Sequence, residues 1–206
     1  MMMGVFLFQP APEMILLLGL GGGDMVRYLH HTLPRCRMDC VDIDPDVIDI
    51  AQHYFGLPSS RVNLTCDDAG RFIQSSHTTY DTIFVDIYAP RAQLLRLYNW
   101  DFFDHCHQQL NRGGVLSLNL VTEDAALFQS ILCKIRECFN YLSVCAKVAG
   151  HNNVIIFAFK TKPAEISHAG LLAKTQQLSR QYELDFNPTI NALFKTNPLK
   201  SGELII

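Results

Sequence analysis

Seven short apolar or alternating runs, most of them separated by segments of helical period, leave few architectures open to this 206-residue chain. The first, MILLLG (14–19), is unbroken and ends at glycine, as a strand buried on both faces does. A segment over 23–33 follows, with Met25, Val26, Leu29 and Leu33 at helical spacing. RMDCVDI (37–43) predicts the second strand. DPDVIDIAQHYFG (44–56) predicts a helix with Asp44 at its N-cap, Pro45 in its first turn and Gly56 at its stop. RVNLTC (61–66) alternates as a third strand, and a short helix follows over 69–76. YDTIFVDI (80–87), rich in β-branched and aromatic residues, is the fourth strand. Residues 88–99 predict an irregular loop, 100–110 a helix, 114–121 a fifth strand and 123–139 a long amphipathic helix. Strands over 141–148 and 153–160 are joined by GHNN, a tight-turn composition, which predicts an antiparallel hairpin.

Strands that alternate with helices pair in parallel through right-handed crossovers. The expected fold is therefore α/β: a doubly wound, seven-stranded, mostly parallel sheet with a C-terminal antiparallel hairpin. In such a sheet a ligand lies outside the carboxyl ends of the first strands, where the strand order reverses. Residues 1–160 are expected to form this domain, with 161–206 as a helical extension packed on it. From Pro163 the pattern changes, to a helix over 165–183 and then a stretch broken by prolines. That helix is placed to cover the sheet edge or to mediate a homodimer.

Apolar residues make up 49% of the chain, which excludes a disordered class, and a net charge of −3 offers no basic field for nucleic acid. Pro10, Pro12 and Glu13 interrupt the apolar start, and no run reaches ~18 residues. Neither a signal peptide nor a membrane span is expected. The seven cysteines are odd in number and form no CxxC, as in a reducing cytoplasm. His105, Cys106 and His107 are adjacent on a predicted helix, so they point apart, and no metal site is expected.

LLLGLGGGD (16–24) then asks which ligand approaches the first turn. A phosphate loop needs GxxxxGK[ST], and the first lysine of the chain is Lys134. A dinucleotide fingerprint needs glycine at the sixth position, where Asp24 stands. The pattern is instead Gly19, Gly21 and Gly23, followed by an acid able to meet an ammonium group. Asp42, 23 residues after Gly19 and followed by Ile43, ends the second strand, where an acid accepts from ribose hydroxyls. Asp67 and Asp68 follow the third strand, placed to accept from an adenine amino group, and the small Ala69 lets a ring lie close. Asp86 ends the fourth strand, where a reacting group would sit. Together these acids describe an adenosine ligand with a cationic amino-acid-like arm, which S-adenosylmethionine matches. Tyr88 would shape the acceptor mouth, Asn119 would meet an acceptor polar group, and the 88–99 loop with Arg91, Arg96, Tyr98 and nearby Trp100 would act as a lid.

LLLGLGGGD, VDIDPDVIDIAQHYFG, CDDAGRFI, YDTIFVDIYAP and RGGVLSLNL together resemble the class I S-adenosylmethionine-dependent methyltransferase fold, in its spermidine-synthase-like branch. The resemblance spans about residues 5–160 and extends to the C-terminal domain of the translation elongation factor lysine and N-terminus methyltransferase. It implies S-adenosylmethionine, or its decarboxylated form, as cofactor and an amine as acceptor, either a small molecule or a protein group. The aminopropyltransferases of the branch carry GGGDGG, with an acid where this chain has Gly22. They carry a second acid after the fourth strand, where this chain has Ala89. They also carry an N-terminal β-hairpin domain, where thirteen residues precede the first strand here.

A dicationic polyamine calls for several carboxylates, so these departures favour methyl transfer over aminopropyl transfer. Asp86 and Tyr88 are the expected catalytic pair. Gly19, Gly21, Gly23, Asp24, Asp42, Ile43, Asp68, Ala69 and Asp86 are expected to bind the cofactor. Two further readings stay open: a polyamine aminopropyltransferase and a non-catalytic nucleoside-binding module. A nicotinamide oxidoreductase is disfavoured by Asp24 and by the glycine spacing.

Overall fold

In the first strand, β1 (Met14–Leu18), successive side chains enter two different apolar clusters: Ile15 and Leu17 one, Leu16 and Leu18 the other. A strand buried on both faces must lie inside a three-layer structure. The computed structural model describes residues 1–206. Its main sheet is built from β1, β2 (Arg37–Asp42), β3 (Val62–Cys66), β4 (Tyr80–Val85), β5 (Leu110–Val121), β6 (Ser143–Lys147) and β7 (Asn153–Phe159). The order is β3-β2-β1-β4-β5-β7-β6; β7 runs antiparallel to both β5 and β6, and every other pairing is parallel. This is the doubly wound fold expected, hairpin included. The order reverses between β1 and β4, so the crevice opens at the ends marked by Leu18 and Val85.

One face is covered by α1 (Asp24–Thr32), α2 (Pro45–His53), α7 (His168–Tyr182) and α8 (Asn187–Thr196). The other carries α3 (Ala69–Ser75), α4 (Arg91–Leu97), α5 (Trp100–Gln108) and α6 (Ala125–Cys138). Helix starts follow local chemistry. Asp44, Asp68, Asn99, Asp124 and Ser167 each accept a main-chain N–H of the first turn of α2, α3, α5, α6 and α7.

Four features depart from the sequence reading. Residues 88–99 are not all loop, since Arg91–Leu97 form α4. Residues Met2–Leu7 form a buried 3-10 helix, whose Phe6 stacks on Tyr182. The stretch after 184 contains α8, because Pro188 falls in its first turn, where its missing N–H costs no bond. It ends in a hairpin of β8 (Leu199–Lys200) and β9 (Glu203–Leu204). Strand β5 begins at Leu110 rather than 114. Past α8, Asn197 closes the β6 edge by donating to the Cys145 carbonyl and accepting from its N–H, at 2.7 and 2.8 Å. No helix is long and apolar enough to cross a membrane.

Candidate functional site

The turn after β1 passes close to the turn after β4. The Gly19 N–H donates to Val41, and the Asp86 N–H donates to Leu18. Gly19 has φ 94°, and a Cβ there would collide with the Asp86 carbonyl oxygen. Glycine is therefore required for both conformation and clearance. Gly21, at φ 52°, meets nothing, so only its backbone conformation demands glycine.

A cavity of about 680 Å³ opens here, at the carboxyl ends of the parallel strands. Of the expected residues, Gly19, Gly21, Asp42, Ile43, Asp68, Ala69, Asp86 and Tyr88 line it. Asp42 Oδ2 accepts the Leu20 N–H at 2.8 Å, and Oδ1 accepts the Asp44 N–H at 3.0 Å. Each oxygen keeps a further lone pair. Asp68 caps α3 through Oδ1, at 3.1 Å from Arg71 N, and also lines the cavity. Its neighbour Asp67 accepts from Asp68 N and pairs with Arg71, at 2.8 and 2.9 Å.

Gly22, Gly23 and Asp24 are not part of the wall, although Gly22 directly follows the lining residue Gly21. Gly23 is the N-cap of α1 at φ 75°, where a Cβ would strike the Leu57 side chain. The Asp24 side chain is 92% exposed and paired with Arg27, an i,i+3 neighbour on α1. Arg27 also donates to the Gly22 and Phe55 carbonyls at 2.7 and 2.9 Å. The acid expected to meet an ammonium group thus stands outside the wall, paired with the arginine that braces the turn.

On the acceptor side, Asp86 Oδ1 accepts from Asn119 Nδ2 at 2.9 Å. Tyr88 is 94% exposed, which puts it at the mouth. The expected lid residues separate. Arg96 lines the cavity from α4, and Arg91 pairs with Asp124. Trp100 donates to Glu137 at 2.6 Å. Tyr98 is fully buried, packed against Phe102 and Phe103, with no partner for its hydroxyl. Burial first, then the Asp86 carboxylate, pushes its phenol pKa far above the ordinary value.

Sequence reasoning missed much of the far wall: Gln93 and Leu97 on α4, Asp101, Phe102 and His105 on α5, and Arg71 and Gln74 on α3. The three- and four-residue spacings within each set were the available signal. His105 Nδ1 lies 2.6 Å from the Asp101 carbonyl, and His107 packs edge-on to Phe139, so the two rings have separate surroundings.

The site thus gathers glycines and acids at the switch point of an open α/β sheet, and comparison with known proteins gives the family. Residues 1–168 match the spermine/spermidine synthase domain, and the chain belongs to that family. It is 30% identical over 207 residues to the polyamine aminopropyltransferase of Chromobacterium violaceum, covering 100% of this chain and 79% of that protein. It is 29% identical over 185 residues to the eEF1A lysine and N-terminal methyltransferase of Mus musculus, covering 84% of this chain and 26% of that protein. Human methyltransferase-like protein 13, solved in complex with SAH, superposes with a TM-score of 0.76 at 26% identity, covering 89% of each chain.

Proposed function

We propose that the chain is an S-adenosylmethionine-dependent transferase that methylates an amine-type acceptor. The observation that carries this reading is the charge at the glycine turn. Gly22 stands where the aminopropyltransferases have an acid, and Asp24 faces outward onto Arg27. The turn therefore offers the donor's amino-acid end no free carboxylate, and a donor that keeps its own carboxylate meets no repulsion there.

The remaining lining supports the reading: Ile43, Val47, Ala69 and Leu97 supply apolar surface for a purine, and Asp68 and Asp42 supply acceptors for its amino group and for ribose hydroxyls. When bound, S-adenosylmethionine supplies a methyl group on a sulfonium, and the remaining work is positioning. Asp86 Oδ2 is left to accept an N–H of the acceptor amine, directing the nitrogen lone pair, while Tyr88 shapes the entrance. An amine arriving as a cation has no free lone pair, so Asp86 would first take one ammonium proton as general base and then hold a remaining N–H of the neutral amine.

A second reading, aminopropyl transfer, is favoured by the acidity of the cavity. Six carboxylates line it, those of Asp42, Asp44, Asp67, Asp68, Asp86 and Asp101, against the guanidinium groups of Arg71 and Arg96. Incubation with putrescine and with a lysine-containing peptide, each with methyl-labelled S-adenosylmethionine and separately with the decarboxylated donor, tests the choice. Methylated product supports the first reading. Spermidine from the decarboxylated donor overturns it, and no product with bound donor leaves a binding module.

A further inference from the structure

The far wall of the cavity turns on one junction. α4 brings Arg96 and Leu97 to it, α5 brings Asp101 and Phe102, and Asn99 between them lines it too. Little packing fixes α4, since Leu94 is its one buried side chain. Tyr98 ends the helix with its ring sunk against Phe102 and Phe103, which anchors a point and not a direction. The direction comes from α6, which takes hold at both ends of α4. Asp124, the α6 N-cap, pairs with Arg91 at the start, and Lys134 Nζ donates to the Tyr98 carbonyl at the end, at 3.1 Å. Past the junction α6 also holds Trp100. The Lys134 ammonium lies 5.3 Å from its ring centroid, Glu137 accepts its indole N–H, and Cys138 Sγ donates to its carbonyl at 3.6 Å. None of these α6 side chains lines the cavity.

The two tethers differ in weight. The Arg91 and Asp124 side chains are 61% and 30% exposed, and an ion pair in that setting contributes little. Lys134 is buried on the face of α6 that carries Leu127 and Ile131, and it makes no ion pair. Lysine is seldom buried without a partner, because its ammonium gives up hydration. A methionine of similar length would fill the same place without that cost. What the ammonium reaches instead is the Tyr98 carbonyl, one of the groups a helix leaves open at its C-terminus, and the face of Trp100. We infer that Lys134 is a positioning residue for the bound nucleoside, which holds the α4–α5 junction, and with it Leu97 and Phe102, against the donor's adenosine. The inference rests on reading the cavity as a nucleoside site, and it holds for either donor, since both carry the same adenosine.

Two variants separate charge from packing. Lys134→Met keeps length and loses the donor and the charge; Lys134→Arg keeps both and adds bulk. The ligands are S-adenosylhomocysteine and 5′-methylthioadenosine, the nucleoside products of methyl and aminopropyl transfer. Trp100, the only tryptophan of the chain, reports the junction through acrylamide quenching of its emission. In Lys134→Met both nucleosides should bind about tenfold more weakly by calorimetry, the result of a wall in place about one time in ten. The quenching constant of that variant should rise at least about twofold without ligand and return to the parent's value at saturation. Lys134→Arg should bind within about threefold of the parent and quench as the parent does. Parental affinity in Lys134→Met overturns the inference, as do unchanged quenching there and a tenfold loss in Lys134→Arg, the marks of a packing role. If Lys134→Met does not fold, Lys134→Arg decides alone, its parental affinity and quenching supporting the inference. Binding of neither nucleoside by the parent overturns the nucleoside reading alone, and quenching of the unligated variants then decides the positioning.

Discussion

Replacing Gly22 by aspartate restores the acid that aminopropyltransferases carry at this place, and the structure says the change fits. Gly22 is absent from the residues with positive φ, and a Cβ there meets nothing nearer than the Phe55 ring at 3.8 Å. The melting temperature should therefore move little. The introduced carboxylate attracts the ammonium group that both donors share, and it repels the carboxylate that only S-adenosylmethionine keeps. Two unit charges at about 4 Å interact by about 1 kcal/mol in water and about 4 kcal/mol at an effective dielectric of about 20. The turn is open to solvent, so the lower part of that range applies, about 1–2 kcal/mol. The ratio of the two donors' dissociation constants should then shift by about 5- to 30-fold toward the decarboxylated form. Calorimetric titration of Gly22→Asp and its parent with each donor reads this ratio directly. Repeating it at high salt should shrink the shift. A ratio unchanged within twofold, in a variant that melts with its parent, would refute the electrostatic reading of the glycine turn.

Three other predictions follow from the same geometry. Asp86→Asn should lower transfer by about 100-fold or more while S-adenosylhomocysteine affinity changes less than about threefold, since the loss of a general base acts on the reacting amine; steady-state kinetics with calorimetry checks both. Gly19→Ala should destabilise the fold by at least about 2 kcal/mol, because the left-handed backbone and the Asp86 carbonyl both exclude a Cβ; urea unfolding measures it. Burial, then Lys160, lowers the His107 pKa below its ordinary 6.5. The unfolded chain therefore takes up this proton first, and stability falls as pH drops through and below about 6.5. His107→Gln should flatten that slope in melts taken at stepwise lower pH.

The alternation of strands and helices was legible because each β segment is either a run buried on both faces or an alternating run closed by a turn residue. The acids at the ends of β2, β3 and β4 were legible because a parallel sheet sends all those ends to one side. Helix α4 was not: in RAQLLRL only Leu94 is buried, so its apolar stripe is too thin to give a period. The sequence around Tyr98 reads as a lid because a tyrosine in a loop is expected to be exposed, yet it terminates α4 facing inward onto Phe102 and Phe103. The pairing of Asp24 was not legible for a related reason. Its charge was visible, but not Arg27 one helical turn later as its partner. The 3-10 helix at Met2–Leu7 has no periodic signal of its own and is held by packing against β5 and α7, elements far along the chain.

The central claim is that the cavity at the β1–β4 switch point takes a donor that keeps its carboxylate. Parallel calorimetric titrations with S-adenosylmethionine, S-adenosylhomocysteine and decarboxylated S-adenosylmethionine test it most directly. Tighter binding of the first two than of the third is the result this account predicts. Preference for the decarboxylated donor would contradict it and make aminopropyl transfer the leading activity; binding of none of the three would contradict the nucleoside site itself.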